Sequence, residues 1–283
     1  MKPNENTTTT SDILHRLVVP IQTRGNLGKS TEAIARCEWM NRRGVSWKGY
    51  DLDAFNRTLS TTYAGTVKLI EPGTEPEGEL IKIFRQMTKA EVTLVDPSAH
   101  MNKSILRAIQ MVRLPELCAD ISARVTVLIY PVDEVSDMDD IAQTVETLTD
   151  SVDWVIVRNP VKIPTAKFFQ GSELEAELLS YGAKRLEIPA LLSDTRNHLR
   201  SREIKLGRGL SPAEALTNKA VALDIAHRIV LEQWLSDLFG RFDDIAGHLI
   251  PTAKAAAIKP TAAAVKSRLI QRRTSGINLE NIV

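Results

Sequence analysis

The chain passes from an apolar run, Leu17 to Ile21, into a glycine-containing loop and then into residues with helical spacing. Gly28, Lys29 and Ser30 stand at the end of this loop, directly before the helical segment. A buried strand, a glycine loop and a helix in this order aim several backbone N–H groups and the positive end of a helix dipole at one point. The stretch therefore predicts a phosphate-binding loop. The alternative is a glycine turn that precedes Lys-Ser by chance.

Short apolar runs alternate with helical segments along most of the chain, which indicates an α/β fold. Parallel strands need crossover connections, so we expect a mostly parallel β-sheet with helices on both faces. Strands are predicted at 17–21, 46–52, 67–70, 91–95, 125–130, 154–157 and 185–188, and helices at 30–43, 80–87, 103–112 and 139–148.

Two later helices are predicted from capping boxes, in which a serine is followed by glutamate three residues on. These are Ser172 with Glu175 and Ser211 with Glu214. The second box is predicted to open one long helix from residue 212 to about residue 239, with an apolar stripe that suits core packing or a partner surface.

The composition divides the chain into three parts. Residues 1–11 are polar and threonine-rich and are expected to be a flexible leader, and residues 12–240 contain all the predicted strands and form one domain. Residues 241–283 are rich in Ala, Pro and Lys, and are expected to be a linker and a basic tail that is either a solvated extension or an electrostatic anchor. Between Asp244 and Glu280 this part has no acidic residue, and its basic residues there are Lys254, Lys259, Lys266, Arg268, Arg272 and Arg273.

The overall charge of +1 excludes a polycation that grips nucleic acid along its whole surface. No apolar run approaches the roughly 18 residues of a membrane span, and the N-terminus lacks the apolar segment of a signal peptide. We therefore expect a cytoplasmic protein with no membrane span.

Cys37 and Cys118 lie in apolar helical patterns and are expected in the core. The five histidines are scattered without metal spacing and are expected to be surface or structural residues; they are His15, His100, His198, His227 and His248.

Each side chain of the loop suits one part of a metal-bound triphosphate. Lys29 supplies a point charge for the β and γ phosphates, Ser30 supplies a hydroxyl for Mg²⁺, and Gly28 lets the backbone approach closely. The strict pattern G-x-x-x-x-G-K-[ST] would require glycine where this chain has Thr23. The loop therefore departs from the usual spelling at its first position.

The stretch R-G-N-L-G-K-S-T, Arg24 to Thr31, resembles the deviant phosphate loop K-G-G-x-G-K-[ST]-[ST] of the ParA/MinD family of P-loop ATPases. The resemblance implies ATP and Mg²⁺ as cofactors, and a catalytic role for Lys29 and for Arg24, which takes the place of a lysine that reaches the partner's phosphates in a dimer. Asn26 takes the place of a glycine, and asparagine is the least costly replacement if the backbone there needs a positive φ. The implied cofactor-binding residues are Gly25, Asn26, Leu27, Gly28, Lys29, Ser30, Thr31 and Asn159.

Two later segments resemble the switch regions of the same family. Y-D-L-D-A-F-N, Tyr50 to Asn56, resembles switch I, which implies that Asp51 lies near Mg²⁺ and that Asp53 orients the attacking water. V-T-L-V-D-P-S-A, Val92 to Ala99, resembles switch II, which implies that Asp96 holds Mg²⁺ through water. The implied metal set is Ser30, Asp51 and Asp96. From the residues alone, a solvated turn remains an alternative for Asp-Leu-Asp.

Two further matches are less specific. Asn159 ends a strand where the family often has an asparagine that contacts the adenine, although a turn before Pro160 explains it equally well. The stretch L-E-I-P-A-L-L-S-D-T-R, Leu186 to Arg196, resembles the segment before the nucleotide-side loop. It looks most like the plasmid-transfer branch of the family, the TraL and StbB-type proteins.

The resemblance implies an ATP-hydrolysing dimeric switch that serves plasmid partition, positioning or conjugative DNA transfer. Its partners would be a second copy, a protein of such a system, and DNA contacted through the tail from Lys254 to Arg273. Two other hypotheses stay open. One is a nucleotide-binding adaptor with little or no hydrolysis, and the other is an ATP-dependent small-molecule enzyme on the same scaffold.

Overall fold

The computed structural model describes residues 12–21, 24–71, 73–219, 221 and 223–258. Within them the chain forms a seven-stranded, all-parallel sheet in the order β3-β2-β4-β1-β5-β6-β7. The strands are β1 (His15–Ile21), β2 (Trp47–Asp51), β3 (Val67–Leu69), β4 (Val92–Asp96), β5 (Ala123–Ile129), β6 (Asp153–Arg158) and β7 (Lys184–Glu187). The predicted α/β fold is confirmed.

The helices of the described residues follow or connect these strands. They are α1 (Lys29–Arg42), α2 (Thr58–Thr62), α3 (Pro76–Phe84), α4 (Asn102–Met111), α5 (Leu114–Asp120), α6 (Val135–Leu148), α7 (Glu173–Ser180), α8 (Ser193–Leu206), α9 (Pro212–Thr217), α10 (Ile225–Asp244), α11 (Ala246–Leu249) and α12 (Thr252–Ala256). No helix in the described part of the chain is long and apolar enough to cross a membrane.

Two apolar clusters lie on opposite faces of the sheet. Successive residues of β1 enter them alternately, because side chains along a strand point to opposite faces: Val18 joins one cluster, and Leu17 and Val19 join the other. All three are fully buried. Residues of α1 and α10, among them Trp39 and Trp234, pack in the first cluster. Cys37 and Cys118 are buried free thiols, as expected.

The central position of β1 determines where the functional loop lies. Strand β1 pairs with β4 on one side and β5 on the other, and β4 in turn pairs with β2. In the register of β2 and β4, Asp51 stands opposite Asp96. Since parallel strands end at the same edge of a sheet, both aspartates lie at the edge where β1 enters its loop.

The later helices correct one prediction. Both serines cap their helices as predicted: the Ser172 and Ser211 hydroxyls each accept a hydrogen bond of 3.2 Å from the N–H of the glutamate three residues on. The Glu175 carboxylate accepts the Gly171 N–H, and the Glu214 carboxylate pairs with Arg208, so neither closes the reciprocal bond of a capping box. The single long helix predicted from residue 212 is wrong, because α9 ends at Thr217 and α10 begins at Ile225. Asp224 starts the new helix by accepting a hydrogen bond of 3.0 Å from the His227 N–H.

The folded part also extends beyond residue 240, the boundary predicted from composition. Helix α10 continues to Asp244, and Leu249 and Ile250 are fully buried. Buried Arg16 of β1 fastens this segment, since its Nε donates to the Ile250 carbonyl at 2.9 Å and its Nη2 donates to the Gly247 carbonyl. The leader at 1–11 and the tail from 259 onward lie outside the described residues.

Candidate functional site

The loop between β1 and α1 uses two left-handed residues, Asn26 at φ 64° and Gly28 at φ 99°. Asparagine tolerates this region better than most side chains do, which explains how Asn26 can replace glycine here. The Glu32 N–H then donates to the Gly28 carbonyl at 2.9 Å, and α1 begins at Lys29, one residue before the predicted start. Thr23, the position that departs from the usual pattern, lies outside the described residues.

Gly28 is close to a second element of the site. A Cβ atom at this position would lie 2.3 Å from Nδ2 of Asn159, which follows β6. That amide donates a hydrogen bond of 3.1 Å to the Leu27 carbonyl. In this structure Asn159 therefore fixes the loop, while the adenine contact implied for it stays a prediction.

Lys29 and Asp96 form a buried ion pair at the base of the loop. The Lys29 ammonium also donates to the Pro97 carbonyl at 2.5 Å. Burial raises the pKa of Asp96, the charge and hydrogen bond of Lys29 oppose that rise, and the negative charges of Asp51 and Asp53 add to it. The structure thus brings together the predicted lysine and all three predicted aspartates.

Asp51 is fully buried and organises the segment that follows β2. Its Oδ1 accepts the Asp53 N–H at 3.0 Å, and its Oδ2 accepts the Ser60 N–H at 2.9 Å. One oxygen therefore holds the loop after β2, and the other holds the first turn of α2. The predicted place of Asp51 beside Mg²⁺ stays a prediction. The contacts that the structure shows hold the backbone of the segment that contains Asp53.

Asp53 is partly exposed, in the loop between β2 and α2. Its carboxylate accepts two hydrogen bonds from Asn56, one of 3.1 Å from the main-chain N–H and one of 2.8 Å from Nδ2. Partial burial raises its pKa, but these bonds and the positive charge of Lys29 outweigh that effect and lower the pKa. The group is therefore an ionised acceptor close to the loop.

Arg24 is half-exposed and is held within its own chain. Its guanidinium forms a two-pronged ion pair with Glu134, and its Nε lies 2.6 Å from Oδ2 of Asp137. Both carboxylates are at the start of α6, which follows β5. The predicted reach of Arg24 to a partner's phosphates requires that it leave these two groups.

Lys162 is a site residue that sequence reasoning missed. Its Nζ donates a hydrogen bond of 2.9 Å to Oδ1 of Asn26, which places a second cation over the loop. The signal in the sequence was a lysine three residues after Asn159, in a turn where the main-chain N–H of Lys162 bonds the Asn159 carbonyl at 2.9 Å.

A cavity of about 550 Å³ opens beside the loop. Asn26, Gly28, Ser30 and Thr31 of the loop and α1 line it, and so does Trp234 of α10. The stretch after β7 and helices α8 to α10 complete the wall through Ile188, Pro189, Leu191, Arg196, Arg200, Leu210 and Leu231. The lining therefore combines polar residues of the loop and two arginines with apolar side chains, which suits a ligand with an anionic group and a flat organic one.

No model of a known protein family matches the chain, and no curated protein sequence matches it. Among solved structures, it is similar to the MinD cell division protein of Aquifex aeolicus at 16% identity and a TM-score of 0.42, over 80% of this chain and 97% of that one. It is similar to the septum site-determining protein MinD of Pyrococcus horikoshii, solved with Mg-ADP, at 14% identity and a TM-score of 0.46, over 82% and 97% of the two chains. A nucleotide-binding protein of Archaeoglobus fulgidus in complex with ADP is similar at 15% identity and a TM-score of 0.38, over 62% and 82%. At this level of similarity, what the chain does depends on the side chains of its own site.

Proposed function

We propose that this protein binds ATP with Mg²⁺ at the loop from Arg24 to Thr31 and hydrolyses it as a nucleotide-dependent switch. One observation carries the proposal: Lys29 begins a helix behind two left-handed loop residues, with Asp53 and Asp96 beside it. A cation, main-chain amides and carboxylates at one point are what a metal-bound triphosphate needs.

The donor atoms near the loop suit Mg²⁺. The Ser30 hydroxyl and the Asp96 carboxylate are oxygen donors, the type that Mg²⁺ prefers, and they would hold the ion in this proposal. When bound, the ion would offset negative charge on the phosphate oxygens. The Lys29 ammonium, which is now paired with Asp96, would contact phosphate oxygens instead. The Asp96 carboxylate would then be able to face the metal. Asp51 would support the Asp53 loop through its main-chain contacts.

Asp53 is the residue that we assign to the attacking water. Its lowered pKa keeps the carboxylate ionised, so that it can accept a hydrogen bond from water and orient it. Asn56 now occupies both of its oxygens at the geometry that the structure shows. Because each oxygen has a further lone pair, the bonds from Asn56 can hold the carboxylate in place while it accepts from water.

The dimer belongs to the same proposal and rests on two features near the loop. Phe55 is 98% exposed, two residues after Asp53, where an exposed aromatic side chain favours contact with another protein. Arg24 is an exposed cation at the start of the phosphate loop, and its planar fork suits phosphate oxygens of a second copy once Glu134 and Asp137 release it.

The cellular setting in this proposal is plasmid partition, positioning or conjugative transfer, and it is supported by the sequence resemblance. In this proposal the DNA contact is made by the basic residues from Lys254 to Arg273, of which Lys254 lies in the described part of the chain. Lys254 donates to the Gly44 carbonyl at 2.8 Å and lies 3.7 Å from Glu91, so it belongs to the folded part. The other basic residues proposed for this contact follow residue 258 and lie outside the described residues.

A second candidate is the nucleotide-binding adaptor with negligible hydrolysis. The ion pairs of Arg24 with Glu134 and Asp137 in the same chain favour it, because they keep the Arg24 guanidinium away from the phosphates. The adaptor would bind ATP and dimerise without releasing phosphate.

Phosphate release and dimerisation, measured together with ATP and then with GTP, with and without DNA, separate the two candidates. The switch predicts ATP-dependent dimers that disassemble as phosphate appears. The adaptor predicts stable dimers and no phosphate. If the protein forms no dimers, releases no phosphate and shows no ATP binding by calorimetry, both candidate functions are overturned.

A further inference from the structure

Two histidines that are far apart in the sequence meet where helices α8 and α10 are in contact. His198 lies on α8 and His227 lies in the first turn of α10, and their ring centroids are 4.5 Å apart. The sequence shows no metal spacing for either, because spacing along the chain does not report a contact between two helices.

Carboxylates from the same two helix starts face this pair. Oδ2 of Asp224 lies 3.5 Å from Nε2 of His227, and Oδ2 of Asp194 lies 3.9 Å from the same nitrogen. One donor atom each from His198, Asp224 and His227 lies within 4.8 Å of the others. Ligands on a tetrahedral zinc ion, with bonds near 2.0–2.1 Å, are about 3.3 Å apart, so small side-chain rotations bring this set to bonding distance.

The surrounding contacts orient the ligand side chains, as the outer hydrogen-bond partners of metal ligands do. Buried Thr195 bonds Nδ1 of His227 at 3.0 Å, which leaves Nε2 facing the carboxylates. Oδ1 of Asp224 accepts the His227 N–H at 3.0 Å, which fixes the carboxylate at the helix start while Oδ2 points to the ring. Arg202 donates to Nε2 of His198 at 3.4 Å. Its positive charge disfavours a bound cation, and the two carboxylates offset that charge.

We propose that His198, Asp224 and His227 bind a divalent metal ion of the zinc type, with Asp194 or water as the fourth ligand. Two imidazole nitrogens with carboxylate oxygens suit Zn²⁺ and not Mg²⁺ or Ca²⁺, which prefer all-oxygen sets. The site is separate from the phosphate loop. Since α8 and α10 provide Arg200 and Trp234 to the cavity wall, the ion would fasten the two helices that cover the cavity.

The test uses the untagged full chain, freed of metal by a chelator, with Zn²⁺ alone and no nucleotide. Calorimetry should show a single equivalent of Zn²⁺, and Zn²⁺ should raise the temperature of thermal unfolding. His198→Gln and His227→Gln should each weaken binding about tenfold or more, and the double variant should lose it. His100→Gln, an exposed histidine elsewhere in the chain, is the matched control and should bind as the parent does.

A readout on the unmodified protein guards against variants that fold poorly. Co²⁺ in place of Zn²⁺ should give visible absorption bands of a four-coordinate nitrogen and oxygen site, and Zn²⁺ should displace them. The proposal is overturned if the parent shows neither Co²⁺ bands nor a Zn²⁺-dependent shift. It is also overturned if the double variant, folded by circular dichroism, binds Zn²⁺ as tightly as the parent. Asp150→Asn, at an exposed carboxylate elsewhere in the chain, should leave Zn²⁺ binding unchanged.

Discussion

The Lys29 ammonium and the Asp96 carboxylate form an ion pair in which the side chains are 6% and 3% exposed. The pair connects the first turn of α1 to the carboxyl end of β4, which are neighbours only because β1 and β4 are adjacent in the sheet. A buried cation at the start of a helix is costly unless an anion accompanies it, and here Asp96 fills that position. A phosphate can take over that role.

We predict that Lys29→Met abolishes ATP binding and lowers the free energy of unfolding by about 3 kcal/mol, because it leaves the Asp96 carboxylate buried and unpaired. Lys29→Met with Asp96→Asn should recover part of the stability but none of the binding. Denaturant unfolding and calorimetry with ATP measure the two effects. If the single and double variants are equally stable, the ion pair between Lys29 and Asp96 does not stabilise the fold. If the double variant binds ATP with normal affinity, Lys29 is not part of the ATP site.

Gly28 and Gly25 provide a matched comparison within the loop. Gly28→Ala should destabilise the loop by about 1–2 kcal/mol or more, because alanine is strained in the left-handed region and its Cβ would lie 2.3 Å from Asn159. A Cβ atom on Gly25 would meet no atom of the described residues within 4 Å, so Gly25→Ala should be nearly neutral. Calorimetry with ATP and thermal unfolding of both variants check this. If the two substitutions have equal effects, the close approach of Gly28 to Asn159 does not limit the residue at this position.

Asp53→Ala should keep ATP binding and slow hydrolysis by roughly 10²-fold or more, because the water would lose its orienting acceptor. Glu71→Ala removes a carboxylate that pairs with Arg57 at 3.1 Å on the exposed side of the same segment, and it should hydrolyse ATP at the parental rate. Phosphate release under saturating ATP is the measurement. Normal turnover in the Asp53 variant would refute its role.

Glu134→Gln with Asp137→Asn should release Arg24 and allow ATP-dependent dimers at about tenfold lower protein concentration. This is expected because Arg24 would no longer have to break its two ion pairs with Glu134 and Asp137 before it contacts a phosphate. Analytical ultracentrifugation with ATP tests this, with Asp139→Asn, an exposed carboxylate on the same helix, as the control. If Arg24→Ala dimerises as well as the parent, Arg24 has no part in the dimer.

Arg16 and Asp153 predict how stability depends on pH. Burial raises the pKa of Asp153, but the charge and hydrogen bond of Arg16 at 2.7 Å, with the charge of Arg124, outweigh it and lower the pKa below its ordinary 3.8. A carboxyl group with a lowered pKa in the folded state stabilises the protein above its unfolded-state pKa, and this stability is lost as the pH falls through the folded-state value. Asp153→Asn should therefore be less stable than the parent by about 3 kcal/mol near neutral pH, and the gap should narrow as the pH falls below 3.8.

Denaturant unfolding of the parent and Asp153→Asn over a pH series measures this narrowing. Asp150→Asn, an exposed carboxylate close by in the sequence, is the control and should follow the parent at every pH. A gap that stays constant from neutral to acid pH would show that Asp153 acts through packing and not through its charge.

The local patterns of the sequence determined the strands, the glycine loop before α1 and the two serine helix caps. Strand periodicity, helix caps and left-handed positions depend on residues within about four positions of one another, so the chain specifies them directly. The boundary predicted at 240 rested on composition, which reports the polarity of a segment and not its contacts. The carbonyls of Gly247 and Ile250 are bonded to Arg16, which lies on the first strand.

Only the tertiary structure decided which distant groups meet. Strand order places Asp51 opposite Asp96 and sets Asn159 and Lys162 against the loop, and helix packing brings His198 to His227. It also holds Arg24 against Glu134 and Asp137, where the family resemblance implied contact with a partner. Such contacts depend on the arrangement of whole elements, which no spacing along the chain encodes.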